Sequence, residues 1–239
     1  MPVYKAPPLA FSWTGIYAGG HGGAGWAQMD WVFDSLSSSV SGPLPEGRHT
    51  ARGALAGGQI GYNYQIGALV WGLEGEASWA KLRGDNIHTI YPGDVPPFGI
   101  QDITRVDALG TIAGRVGVAW DRTLLYGKAG GAYVVDNYEV IDRFQFPFFP
   151  FLVATTSSTG GERRWGWMVG VGVERAFFDS WSVKFEYDYL GFGTDRVMLN
   201  CSPFLFCNAP TVAEEIRQNI SLIKAGINYH FGWPIIAKN

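Results

Sequence analysis

Several stretches of the chain alternate bulky apolar residues with polar or charged ones, and that alternation limits the fold more than any other feature. In "WSVKFEYDYL", Trp181, Val183, Phe185, Tyr187 and Tyr189 share one parity, while Ser182, Lys184, Glu186 and Asp188 share the other. Successive side chains of a strand point to opposite faces, so this is a strand with one apolar and one charged face. The pattern recurs. Leu69, Trp71, Leu73, Ala77 and Trp79 oppose Glu74, Glu76 and Ser78. Ile112, Val116, Val118 and Trp120 oppose Asp107, Thr111 and Arg115. Trp165, Trp167, Val169, Val171 and Val173 oppose Arg164 and Glu174. Ile223, Ala225, Ile227, Tyr229 and Phe231 oppose Lys224, Asn228 and His230. Lys128 and Asp136 share a parity in a less regular segment.

The strand segments fall near 13–27, 53–65, 69–82, 104–120, 124–140, 163–177, 181–193 and 218–231. Tight turns join the second to the third, the fourth to the fifth ("DRT") and the sixth to the seventh ("FDS"). The other connections, 28–52, 83–103, 141–162 and 194–217, are long. Long loops alternating with short turns put every long loop at one end of an eight-stranded antiparallel up-and-down barrel. A soluble barrel would point its aromatics inward and its charges out. Here charged residues are only 16 % and aromatics reach 15 %, including 10 Trp. No apolar run nears the ~18 to 20 residues of a membrane helix. A closed barrel is the other structure that satisfies every backbone group in a bilayer. The apolar faces are therefore expected to meet lipid and the charges to fill the lumen.

Trp71 and Trp79 lie ~26 Å apart along their strand. Tilted, that matches the ~25 Å apolar band between two aromatic girdles. Trp71, Trp79, Trp120, Trp165, Trp167, Trp181, Tyr189, Tyr229 and Phe231 are the expected interface aromatics. A lumen of eight strands is wide enough only for side chains. Glu74, Glu76, Asp107, Glu174, Glu186 and Asp188, with Arg115, Lys128, Arg164, Lys184 and Lys224, read as a salt-bridged plug. An ion path lined by the same residues is the rival reading.

Other motifs carry less. The Gly-rich "GGHGGAG", 19–25, lacks the Lys-Ser or Lys-Thr pair of a phosphate loop and reads as strand. His21 is expected high on its strand, His230 low on the last, and His49 and His88 on loops, so no His metal site or cofactor is expected. No GxSxG and no Ser–His pair suggests an enzyme. The net charge of −3 gives no bulk attraction for nucleic acid. Cys201 and Cys207 are not a CxxC and read as a local disulfide of an oxidising compartment, with two free thiols as the other reading. "FQFPFFPFLV" carries Phe144, Phe146, Phe148, Phe149 and Phe151 without a charge. In an outward loop it is a candidate contact for a second copy or another surface partner, or else a lid packed on sister loops. Pro147 and Pro150 lack backbone donors and argue against strand there.

"WTGIYAGGHGGAGW", "GGQIGYNYQ", "LEGE" and "AGINYHFG", in that order, resemble the small outer-membrane β-barrel proteins of alphaproteobacteria, porin-like surface antigens related to OmpA-type barrels. The resemblance implies a Gram-negative outer membrane with lipid and lipopolysaccharide around the barrel, a periplasmic N-terminus and loops outside the cell. It transfers no catalytic motif. Members are described as structural, as porin-like channels or as haem binders. It also implies that "MPVYKAPP" follows a removed signal peptide, giving a periplasmic extension (1–12), a barrel (13–231) and a tail (232–239). Phe231 would then be the terminal aromatic assembly signal at an internal position. The expected function is a non-enzymatic surface barrel with a structural and interaction role. A small channel and a loop-side haem or ligand binder are the alternatives.

Overall fold

A computed structural model describes residues 11–33, 44–88, 99–146, 149–202 and 211–232. Eight antiparallel strands close into one ring in chain order. They are β1 (Gly15–Phe33), β2 (Leu44–Ile66), β3 (Leu69–His88), β4 (Gly99–Trp120), β5 (Thr123–Phe146), β6 (Phe149–Ala176), β7 (Trp181–Ser202) and β8 (Thr211–Gly232). Gly15 pairs with Asn63 on one side and Gly232 on the other, so the first and last strands seal the ring. The short turns gather at one end. Two of them rest on residues in the left-handed region, Gly67 at φ 59° and Asp121 at φ 53°, where Gly is free of a Cβ penalty and Asp is among the tolerated residues.

Every strand is longer than the sequence suggested, and the growth is at the loop end. β5 and β6 reach 24 and 28 residues. Their ladder continues to Phe146↔Phe149, so the backbone of the Phe-rich stretch outside 147–148 is strand and not loop. Pro150 does not end β6: it falls where the register with β5 shifts between Gln145 and Phe146, and a strand proline is tolerated at such an irregularity. His49 likewise lies in β2 with its side chain buried, not on a loop. Phe144, Phe146, Phe148, Phe149 and Phe151 have side chains outside the described residues, as do Cys201 and Cys207.

Two irregularities reset the parity. An extra residue in β4 between Val106 and Ala108 pushes Asp107 outward. Thr111 and Arg115 face in below the bulge; Asp102, Thr104 and Val106 face in above it. Asp107 is therefore not a lumen residue, and its exposed carboxylate accepts a bond from Asn137 Nδ2. Two-residue alternation is lost where one residue is unpaired. In β7 the pairing to β8 slips at Gly193, φ 71°, and the inward set changes from Asp188 and Leu190 to Val197 and Leu199.

Candidate functional site

The lumen is stacked in chemical layers. At the turn end, Trp13 is fully buried just before β1 and packs with Val70, Ala119, Leu124, Tyr126 and Ala176, with Phe11 against them. Gln65 Oε1 accepts from the Trp13 backbone N–H at 2.8 Å. Phe11 and Trp13 thus cap the turn end of the lumen.

Above this cap lies the charged layer. Glu74 and Glu76 enter from β3, Arg115 from β4, Lys128 from β5, Glu174 from β6, Lys184, Glu186 and Asp188 from β7, and Lys224 from β8. Alternation on neighbouring strands brings them to one level, and all are buried. Lys128 Nζ sits 3.3 Å from Glu74, 3.2 Å from Glu76, 3.1 Å from Glu186 and 3.4 Å from Asp188. Lys184 Nζ lies 3.1 Å from Glu74, 3.0 Å from Glu76 and 3.0 Å from Glu186. Lys224 Nζ reaches Glu76, Glu186 and Asp188 at 2.5, 3.4 and 2.7 Å. Arg115 pairs with Glu174 at 3.0 Å and lies over the Tyr126 ring at 3.8 Å. It also donates to the Tyr17 hydroxyl at 2.7 Å, and that hydroxyl donates to Glu74 at 2.9 Å. Ser182 and Asn228 donate to Glu174, with His230 3.3 Å away.

Isolated buried charges cost far more than paired ones. Here each ammonium is shared among three or four carboxylates, so no single pair holds the layer. Glu74, Glu76 and Glu186 bring carboxylate oxygens within 4.8 Å of one another, a donor set of the kind that takes a hard cation. The three lysine ammoniums already occupy that position. His21 lies in this layer and not high on its strand. Opposite Gly57 and Gly226, it bonds Gln59 at 2.6 Å and Ser78 at 2.7 Å.

Above the charges the same inward parity turns apolar. Ala27, Met29, Leu55, Leu82, Leu109, Val134, Met168, Leu190, Ile220 and Leu222 form one buried cluster. Arg164 is separated from the other lumen charges by its place in this upper half. Its guanidinium meets Asp136 at 3.2 Å, Tyr138 and Gln218, and it donates to the Ile216 carbonyl at 3.2 Å. Asp136, Tyr17, Tyr126 and Tyr138 belong to the polar lumen but not to the charge set read from sequence. Their parity was the available signal.

On the outside, Trp71, Trp79, Trp120, Trp165, Trp167, Trp181, Tyr229 and Phe231 are exposed. Tyr189 is partly covered by Trp167, with ring centroids 5.6 Å apart. Apolar residues thus face out and charges face in, the inverse of a soluble barrel and the arrangement of a transmembrane one.

Comparison with known proteins agrees with this geometry. The model of the outer membrane protein beta-barrel domain matches residues 2–231, and the chain belongs to that family. It is an outer-membrane protein. The 31 kDa outer-membrane immunogenic protein of Brucella melitensis is 30% identical over 232 residues, covering 95% of this chain and 87% of that protein. The 22 kDa outer membrane protein of Rhizobium leguminosarum is 28% identical, covering 82% and 72%. Among solved structures, OprG of Pseudomonas aeruginosa superposes with a TM-score of 0.51 at 12% identity, covering 91% of this chain and 97% of that one. The Escherichia coli protease OmpT gives 0.52 at 11% identity, covering 93% and 99%. These likenesses carry the fold alone.

Proposed function

We propose that the protein is a closed, non-enzymatic surface barrel with a structural and interaction role in the outer membrane. Its N-terminus lies on the periplasmic side and its long hairpins face outside. The observation that carries this reading is the charged layer, buried between apolar material above and below. A conducting pore needs a continuous wet path, and a sealed ion-pair layer is the opposite. The outer aromatics sit at the lipid interfaces. Its Brucella relatives are named as outer-membrane immunogenic proteins, which supports a surface location. The β5–β6 hairpin, the longest pair of strands, is the candidate partner contact through its Phe-rich end. Vesicles containing the purified protein should swell in small sugars no faster than protein-free vesicles. Rapid swelling would refute the closed lumen. Deleting 144–152 should leave a heat-modifiable barrel and abolish self-association or partner capture. Unchanged association would reduce the hairpin end to a lid.

A further inference from the structure

The outer wall of β1 and β2 carries a feature that the closed lumen does not use. Outward positions there are small: Ala18, Gly20, Gly22 and Ala24 on β1, with Gly58, Ala56 and Ala54 beside them on β2. Larger side chains rise on both flanks. Ile223 and Ile227 of β8 stand on one side and Trp79 of β3 on the other, while Ile60, opposite Ala18, stands at the turn-side end, all exposed. The result is a shallow outward groove. One stretch of about 630 Å³ is lined by Gly20, Gly22, Ala56, Trp79, Ala225 and Ile227. A second of about 590 Å³ continues to Ala24, Ala54, Trp26 and Arg52. From Ala18 to Ala24 the groove runs ~20 Å along the strand.

At its loop-side end the groove meets a row of cations. Arg52 pairs across the ladder with Arg83, and Arg83 with Arg105; Lys81 is opposite Ala54. All four are exposed. Like charges directly opposite on neighbouring strands repel, so the row is unfavourable by itself. The nearby acids relieve it only at its Arg105 end. Asp107 bonds Asn137, Asp85 accepts from Gln101, and Glu139 lies 3.4 Å from Arg105. Among the described residues, Arg52, Lys81 and Arg83 have no carboxylate partner.

We propose that this wall is a binding site for a phosphorylated, acylated glycolipid, the lipopolysaccharide of the outer leaflet. An acyl chain lies in the groove, and headgroup phosphates lie on Arg52, Lys81, Arg83 and Arg105. Arginine suits phosphate because its planar fork gives two parallel bonds. Three adjacent strands spread the arginines over ~10 Å, which suits a headgroup with more than one phosphate better than a single phosphodiester. The choice of the outer leaflet rests on the orientation proposed above; binding in detergent does not depend on it.

The test uses purified barrel in detergent, with lipid retention read by native mass spectrometry. The probes are bisphosphorylated lipid A, the same lipid with its phosphates removed, and phosphatidylglycerol. Bisphosphorylated lipid A should bind at least tenfold more tightly than either of the others. The triple variant Arg52→Ser, Lys81→Ser, Arg83→Ser should lose at least tenfold of that affinity. Gly22→Leu should lose several-fold, since its added side chain fills the groove; a Cβ there meets nothing closer than 3.8 Å, so the wall tolerates it. Equal retention of the three probes by the wild type would overturn the proposal without any variant. Preference for phosphatidylglycerol would overturn the assignment to lipopolysaccharide. A dimer that excludes lipid from the wild-type barrel would show that a second copy occupies the groove. Failure here with slow vesicle swelling intact would leave the closed-lumen reading standing.

Discussion

Two layers of the same lumen, stacked one on the other, are held together in different ways. The lower one joins Glu74, Glu76, Glu174, Glu186 and Asp188 to Arg115, Lys128, Lys184 and Lys224. The upper one packs Ala27, Met29, Leu55, Leu82, Leu109, Ile220 and Leu222. Both are buried by the same wall. In the apolar layer each residue contributes area and dispersion largely for itself. In the charged layer a residue's effect depends on its partners being present, because removing one leaves the others buried with their charge unbalanced. A barrel interior can thus be filled in either way. The charged way makes a unit that fails as a whole.

The largest expected effect breaks that unit. Lys128→Met takes one positive charge from four buried carboxylates, each of which keeps Lys184 or Lys224 as a partner, and the charge imbalance left in the buried layer should destabilise the barrel by ~3–5 kcal/mol in urea unfolding from lipid vesicles. An effect under ~1 kcal/mol would mean that water or its neighbours already satisfy those carboxylates. The comparison sharpens in a double variant. Lys184→Met with Glu76→Gln should cost clearly less than the two single changes added together, because the pair in contact at 3.0 Å is removed as a pair. Strict additivity would deny the coupling. In the apolar layer, Ile220→Val should cost only ~0.5–1.5 kcal/mol, and should add simply with a distant apolar change. The smallest effect is outside. Asp107→Asn should stay within ~0.5 kcal/mol of wild type, because the carboxylate is on the surface. A large loss there would place Asp107 back in the lumen set.

That last residue marks where the sequence stopped being legible. Parity on Trp71 to Trp79, or on Trp181 to Tyr189, exposed the wall, its two faces and its closure, because a period of two survives wherever pairing is regular. It failed at Asp107, where one unpaired residue reverses every face beyond it and leaves no mark in composition. Gly193 does the same in β7. The upper apolar layer was readable in principle, since Met29, Leu82 and Leu222 hold the same parity as His21, Glu76 and Lys224. Charges drew the reading to one half of each strand. The long hairpins were missed for a different reason: beyond the bilayer the outward face need not be apolar, so past Gln28 the alternation inverts, with Met29 and Trp31 inward and Gln28 and Asp30 outward, and the apolar-out signature ends. The groove on β1 and β2 needs two strands aligned side by side before Gly22, Ala56 and Arg52 belong to one surface.

The central claim is that the charged layer closes the lumen. Single-channel recording on planar bilayers containing the wild-type barrel tests it most directly. A flat trace, with at most rare and brief openings across the voltage range, is the predicted result. Large, stable, long-lived open-channel currents from folded, heat-modifiable protein would contradict it.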